Sequence, residues 1–106
     1  MNDTDFEKLA DQTLARVDSA LEESGVDADV QLKEGGILEV EFADESKLIV
    51  NRHRAAREIW VAAPSGGFHF RWDGTAWRDG RNGGELFEAL SRLVSLQSGK
   101  SVRLQP

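Results

Sequence analysis

The sequence predicts an α+β domain, a two-layer α/β sandwich in which two helices cover one face of a five- or six-stranded antiparallel sheet. Apolar residues recur at three- and four-residue spacing near both ends of the chain, and at two-residue spacing between them. Short turn strings rich in Gly, Asp and Ser divide the middle into strand-length pieces. Both end stripes need burial, and one face of the sheet is the only large surface available to them.

The elements follow in order. From Asp3 to about Glu23, Phe6, Leu9, Ala10, Leu14, Val17, Ala20 and Leu21 form the apolar stripe of an amphipathic helix. Asn2, Asp3 or Thr4 can cap its start, and Gly25 can end it. From Asp29 the period becomes two: Val30 and Leu32 alternate with Gln31 and Lys33, and Gly35-Gly36 turns the chain. Leu38, Val40 and Phe42 alternate with Glu39 and Glu41, and Asp44-Glu45-Ser46 turns it again into Lys47–Arg52. A strand over Glu58–Ala63 leads to the turn Pro64-Ser65-Gly66-Gly67. Phe68, Phe70 and Trp72 alternate with His69 and Arg71, and Asp73-Gly74 precedes a last strand at Ala76-Trp77-Arg78. Such a meander is antiparallel. After Gly83-Gly84 the helical period returns through Leu86, Phe87, Leu90, Leu93 and Val94. Glu85 and Glu88 sit near its start and Arg92 and Lys100 near its end, as the helix dipole prefers. Gly99 is its expected stop.

At 106 residues the chain has the length of one domain, and residues 1–106 are read as such. Its 30% charged and 40% apolar residues are ordinary for a globular protein. No apolar run reaches the roughly 18 residues of a membrane span. Met1-Asn2-Asp3-Thr4-Asp5 carries acids where a signal peptide carries bases. With no cysteine present, disulfides, thiolate nucleophiles and cysteine-held clusters are excluded. A reducing cytoplasm is the expected setting.

The net charge of −6 is unevenly distributed. Residues 1–45 hold 14 acids against Lys8, Arg16 and Lys33, whereas residues 46–106 hold five acids against ten bases. A strongly acidic half repels nucleic acid and attracts cations or a basic protein surface. At about 100° per residue, Asp3, Glu7, Asp11, Asp18 and Glu22 fall within an arc of roughly 100° along one edge of the buried helix face. Lys8 and Arg16 lie off that arc, Glu23 lies beside it, and Asp27 and Asp29 extend it onto the first strand. A merely solvated helix face explains part of this, because acids in the first turn gain about 0.3–1 kcal/mol each from the dipole. It does not explain Glu22 and Glu23 at the opposite end, or like-charge pairs such as Asp18–Glu22. Carboxylates without Cys or a His pair are hard oxygen donors suited to Fe³⁺, Fe²⁺, Mn²⁺, Ca²⁺ or Mg²⁺, held weakly on an open ridge. EF-hand spacing is missing.

Alternation along the strands turns Ile59 and Val61 inward and Trp60 outward, with Asn51, His53, His69 and Arg71 on the same open face. That composition suits a protein-interaction surface, although such a Trp can also simply shield the sheet. No nucleophilic triad can be argued for either histidine. The Gly-Gly pairs match no phosphate-binding loop, and Trp72 and Trp77 are assigned to the core.

Several strings together resemble the frataxin family in its bacterial form. They are Phe6-(x2)-Leu9-Ala10-Asp11, Asp27-Ala28-Asp29-Val30, Gly35-Gly36-Ile37-Leu38, Ser46-Lys47-Leu48-Ile49-Val50-Asn51-Arg52, Ile59-Trp60-Val61-Ala62 and Gly66-Gly67-Phe68-His69-Phe70. Trp77 and Glu85-Leu86-Phe87 complete a likeness that runs over nearly the whole chain. The resemblance implies a non-enzymatic protein that binds ferrous and ferric iron weakly on an acidic ridge. It further implies association with a cysteine desulfurase and an iron–sulfur scaffold protein, regulating cluster assembly or supplying its iron. The implied metal ridge is Asp3, Asp11, Asp18, Glu22, Glu23, Asp27 and Asp29, and Glu7 joins it as a candidate metal ligand by its place on the helix arc. The expected partner surface is Asp18, Glu22 and Glu23 together with Asn51 and Trp60, which match the family's surface residues on the sheet, and with His53 and His69, which strand alternation puts beside them. Glu7 stands where the family often has His, and Gln31 and Lys33 stand where it often has outward acids. Lys33 is expected to neutralise the strand end of the ridge. A monomer is expected, able to assemble further with iron. The alternatives are a metal-independent acidic interaction or inhibitor module and an iron oxidase.

Overall fold

The computed structural model describes residues 1–106. Helix α1 (Asp3–Ser24) is followed by strands β1 (Ala28–Lys33), β2 (Ile37–Phe42), β3 (Lys47–His53), β4 (Glu58–Ala63), β5 (Gly66–Trp72) and β6 (Trp77–Asp79), then helix α2 (Leu86–Ser98). The six strands pair antiparallel in sequence order, so β1 and β6 are the edges. The sixth strand forms, and Gly66 and Gly67 lie inside β5 rather than in the turn expected there, opposite Ala63 and Ala62 of β4.

Local chemistry sets the helix ends. The Asn2 side chain accepts the Asp5 N–H at 2.8 Å, satisfying one of the amides left over at the start of α1. Gly25 closes α1 in the left-handed conformation (φ 71°), its N–H donating to the Glu22 carbonyl. At α2 the cap is Glu85, whose carboxylate accepts the N–H groups of Phe87 at 2.8 Å and Glu88 at 3.2 Å. Contrary to expectation, the last turn of α2 holds no base, because the helix stops at Ser98 and Lys100 lies beyond it.

Both helices deliver their apolar stripes to one sheet face. Phe6, Ala10, Leu14, Val17, Ala20 and Leu21 of α1 meet Leu86, Phe87, Ala89, Leu90, Leu93 and Val94 of α2. Beneath them lie Leu38, Val40, Leu48, Val50, Ile59, Val61, Phe70 and Trp77. Each large side chain buried this way contributes about 1.5–3 kcal/mol. Trp77 meets Phe6 edge-to-face at 6.2 Å between ring centroids and donates its indole N–H to Thr13 Oγ1 at 2.9 Å. Trp72 is only half-buried. The C-terminal segment is tied along α2 by two serines. Ser95 Oγ donates to the Val102 carbonyl at 3.0 Å and accepts its N–H at 2.9 Å, and Ser91 Oγ accepts the Leu104 N–H at 2.8 Å.

Candidate functional site

Helix α1 packs over β1, β2 and β3, which puts its acidic stripe beside the β1 edge at one end and beside the β3–β4 turn at the other. The stripe is continuous along the helix, but it is not base-poor as expected. Arginines from the second half of the chain reach its N-terminal part. Arg57 donates to Asp3 Oδ1 through Nε at 3.2 Å and Nη2 at 3.0 Å, and Arg54 donates to Asp3 Oδ2 at 3.3 Å. The Arg57 hydrogen bonds, with Arg54 adding to them, hold the Asp3 carboxyl below the usual carboxylate range. Arg54 also lies 3.4 Å from Glu7 Oε1, and Arg52 bonds Asp11.

The sequence hid this arrangement for a physical reason. Arg52 leaves β3 on the same side as Leu48 and Val50, so it emerges under α1, and Arg54 and Arg57 follow in the turn that passes the helix start. Only the crossing of helix and sheet brings them together. Glu23 is likewise paired, accepting from Arg16 at 3.1 and 3.3 Å, and this contact lowers its pKa. Arg16 in turn donates to the Gln105 carbonyl at 2.9 Å.

The C-terminal part of the stripe is different. Asp18, Glu22 and Asp27 have no ion pair, and Asp29 accepts only from Gln31 at 3.3 Å. Lys33 does not neutralise this end as expected, because it bonds Glu39, which also pairs with Lys47 at 3.0 Å. The sheet register adds an acid that the sequence reading left out: Glu41 stands directly across from Asp29. The turn at Gly35-Gly36 would have shown this, since pairing Leu32 with Leu38 forces Asp29 onto Glu41. Like charges directly opposite destabilise a strand pair, and here the pair is kept.

On the open face the strands place the expected residues together. The rings of His53 and Trp60 stack at 3.7 Å and 10°, and those of Trp60 and His69 at 4.4 Å and 7°. Asn51 stands across from Trp60 on β3 and His69 across from it on β5. Both faces of the indole are therefore covered, and its N–H donates to Glu58 Oε1 at 2.9 Å. The His53 ring is fixed in turn by Nδ1 accepting the Ala56 N–H at 3.3 Å.

The donor chemistry of the free carboxylates fits a hard cation. No three Asp, Glu or His side chains converge closely enough to hold one, so any ion here meets one or two carboxylates and keeps the rest of its shell as water. The fold and this edge define a small α+β domain that presents uncompensated negative charge on one flank and an aromatic strip on its open face.

Residues 1–100 match the family model described as the frataxin-like domain. The chain is 58% identical over 105 residues to the iron-sulfur cluster assembly protein CyaY of Dechloromonas aromatica, covering 99% of this chain and 100% of that protein. It is 45% identical to the CyaY of Cupriavidus taiwanensis, over 96% of this chain and 95% of the relative. Among solved structures it superposes on the frataxin from Psychromonas ingrahamii with a TM-score of 0.91 and 35% identity, both chains fully covered. On the trimeric frataxin from the yeast Saccharomyces cerevisiae, complexed with ferrous, the TM-score is 0.73 at 29% identity, with 86% of each chain covered. The chain belongs to the frataxin family.

Proposed function

We propose that this chain is an iron-binding protein of iron–sulfur cluster assembly that works by docking and not by turnover. The observation that carries the reading is the group Asp18, Glu22, Asp27 and Asp29, exposed or half-exposed on one edge and without a base to neutralise them. Its likeness to proteins named for iron–sulfur cluster assembly supplies the biological setting. Ferrous or ferric iron is the cargo, held loosely by one or two of these carboxylates and water. A cysteine desulfurase and an iron–sulfur scaffold are the partners, the former offering a basic groove to the acidic edge and the latter meeting the Asn51–His53–Trp60–His69 strip. The cytoplasm is the proposed site of action.

Two measurements test this. In an anaerobic titration with Fe²⁺, amides at Asp18, Glu22, Asp27 and Asp29 should shift before those at Asp3, Glu7 and Asp11, whose carboxylates are already spent on arginines. Asp18→Lys with Glu22→Lys should abolish capture of the desulfurase while the thermal transition is kept, and added salt should weaken capture of the parent steeply. Unchanged capture by the double variant would overturn the docking surface. The absence of a converging carboxylate group favours one second reading, a metal-independent acidic module. No shift of any ridge amide at millimolar Fe²⁺ would select it. An iron-oxidase role would show as oxygen uptake above a protein-free control, and none is expected.

A further inference from the structure

The two edges of the sheet are treated differently by the fold. Strand β6 is three residues long, and its outer side is occupied where Arg78 bridges to Glu85 at the start of α2. Strand β1 is six residues long and pairs with β2 alone, so half of its backbone N–H and C=O groups face outward without a strand partner. Residues 31–33 are exposed in succession, which means that neither face of the strand end is covered. Leu32 is 48% exposed and Ile37, opposite Lys33, is 37% exposed, leaving apolar surface at the same end.

The charge around this edge is net acidic. Asp18 and Glu22 lie on the helix layer above it, Asp27 leads into it, and Asp29 and Glu41 face each other on the open side, with Lys47 of β3 across from Glu41 and bonded to Glu39. The one base on the strand, Lys33, is bonded to Glu39. Charged groups commonly guard an edge against indiscriminate pairing. A guard that is net acidic on both faces also selects, because a strand with basic side chains meets attraction where any other strand meets desolvated carboxylates.

We propose that the β1 edge is a strand-addition site. It takes an extended segment of a partner protein bearing Lys or Arg at alternate positions and an apolar residue near Leu32, as a seventh strand. Backbone hydrogen bonds to β1 supply the order, and the five carboxylates supply the choice of sequence. This rests on the acidic-docking reading above and gives it a geometry. A basic surface that touches only side chains would leave the edge amides unchanged, whereas an added strand protects them.

The test uses the full chain and a synthetic eight-residue peptide alternating Lys and Val, blocked at both ends, beside the same peptide N-methylated at alternate residues. With the first peptide, the outward amides among residues 28–33 should exchange at least about tenfold more slowly, and N-methylation should weaken binding at least about tenfold, because each added backbone hydrogen bond contributes roughly a fivefold factor. Equal binding of both peptides, with shifts at Asp18, Glu22, Asp27, Asp29 and Glu41 but no protection of β1, would overturn strand addition and leave acidic docking standing. No binding of either peptide at low salt would overturn both. Protection of β1 that grows with protein concentration and needs no peptide would assign the edge to a second copy of this chain and overturn the proposal.

Discussion

Gly36→Ala is the substitution that couples the turn of the first hairpin to the acidic helix. Gly36 sits at φ 74°, in the left-handed region, where a side chain costs about 1–2 kcal/mol. A Cβ there would also lie 2.5 Å from Cγ, 2.7 Å from Cδ and 2.7 Å from Nη1 of Arg52, all closer than van der Waals contact allows. Arg52 must therefore move, and its bond to Asp11 goes with it. That pair is only partly shielded, with 21% of the Arg52 side chain and 53% of the Asp11 side chain exposed. Its loss therefore adds at most about 1 kcal/mol. The expected cost is about 1–3 kcal/mol, or roughly 5–20 °C in Tm for a domain of this size.

Gly35→Ala is the control. Gly35 has φ 87° but nothing within 4 Å of the added methyl, so only the backbone strain remains. The assay is urea unfolding of the parent, both alanine variants, Arg52→Ala and Gly36→Ala/Arg52→Ala. The double variant should show Gly36→Ala costing no more on the Arg52→Ala background than Gly35→Ala costs on the parent. Equal costs for the two glycine variants on the parent, or strict additivity in the cycle, would refute the proposed contact.

Thr13→Val should remove the acceptor of the buried Trp77 N–H and the donor to the Leu9 carbonyl, costing about 1–3 kcal/mol and altering the near-ultraviolet circular dichroism of the indole. Ser91→Ala and Ser95→Ala should each cost about 1–2 kcal/mol and speed exchange of the Leu104 and Val102 amides, respectively, with little change in the sheet. Asp73 is held at about 2 by the Thr75 N–H, with the Ala76 N–H and the Thr75 hydroxyl adding to it. Because its pKa is lower folded than unfolded, its contribution is present above pH about 4 and fades as pH falls toward about 2. Asp73→Asn should therefore unfold at a lower urea concentration than the parent near neutral pH, and the gap should close on acidification; a constant gap would reject the assignment.

Much of the fold was legible because burial writes a period into the chain. The alternation through Leu38, Val40 and Phe42 and the helical spacing from Phe6 to Leu21 each demand one structure, and both formed. Leu32 shows where the pattern fails: it continues the inward phase of β1, but the strand outruns the helix that would cover it, so the residue is half exposed. The ridge was legible as a helix face and illegible as an electrostatic object. Angular position follows from 100° per residue, whereas the arrival of Arg52, Arg54 and Arg57 depends on how α1 crosses the sheet, which no local pattern records. The stacking of His53, Trp60 and His69 lies between these cases. Strand phase put the three rings on one face, and their mutual stacking awaited the pairing register.

The division of the ridge has a physical logic. Five carboxylates on one arc of a helix repel one another, and the N-terminal three are satisfied from within the chain by three arginines. That leaves the fold with fewer uncompensated charges to carry, and it concentrates those that remain at the C-terminal end of α1 and the start of β1. There Asp29 faces Glu41 across the hairpin, a pairing that an interleaved lysine would relieve. Lys33 is four residues from Asp29 on the same face and bonds Glu39, as does Lys47, which stands across from Glu41 on β3. A chain holding 13 Lys and Arg residues thus leaves Asp18, Glu22, Asp27 and Asp29 without one, and an external cation or basic segment that relieves their repulsion binds the folded state preferentially. Neutralising Asp29 alone, by Asp29→Asn, should on this argument raise the stability of the free protein at low salt and lower its affinity for a basic partner. A variant that gained in both would show that the repulsion and the binding are unrelated.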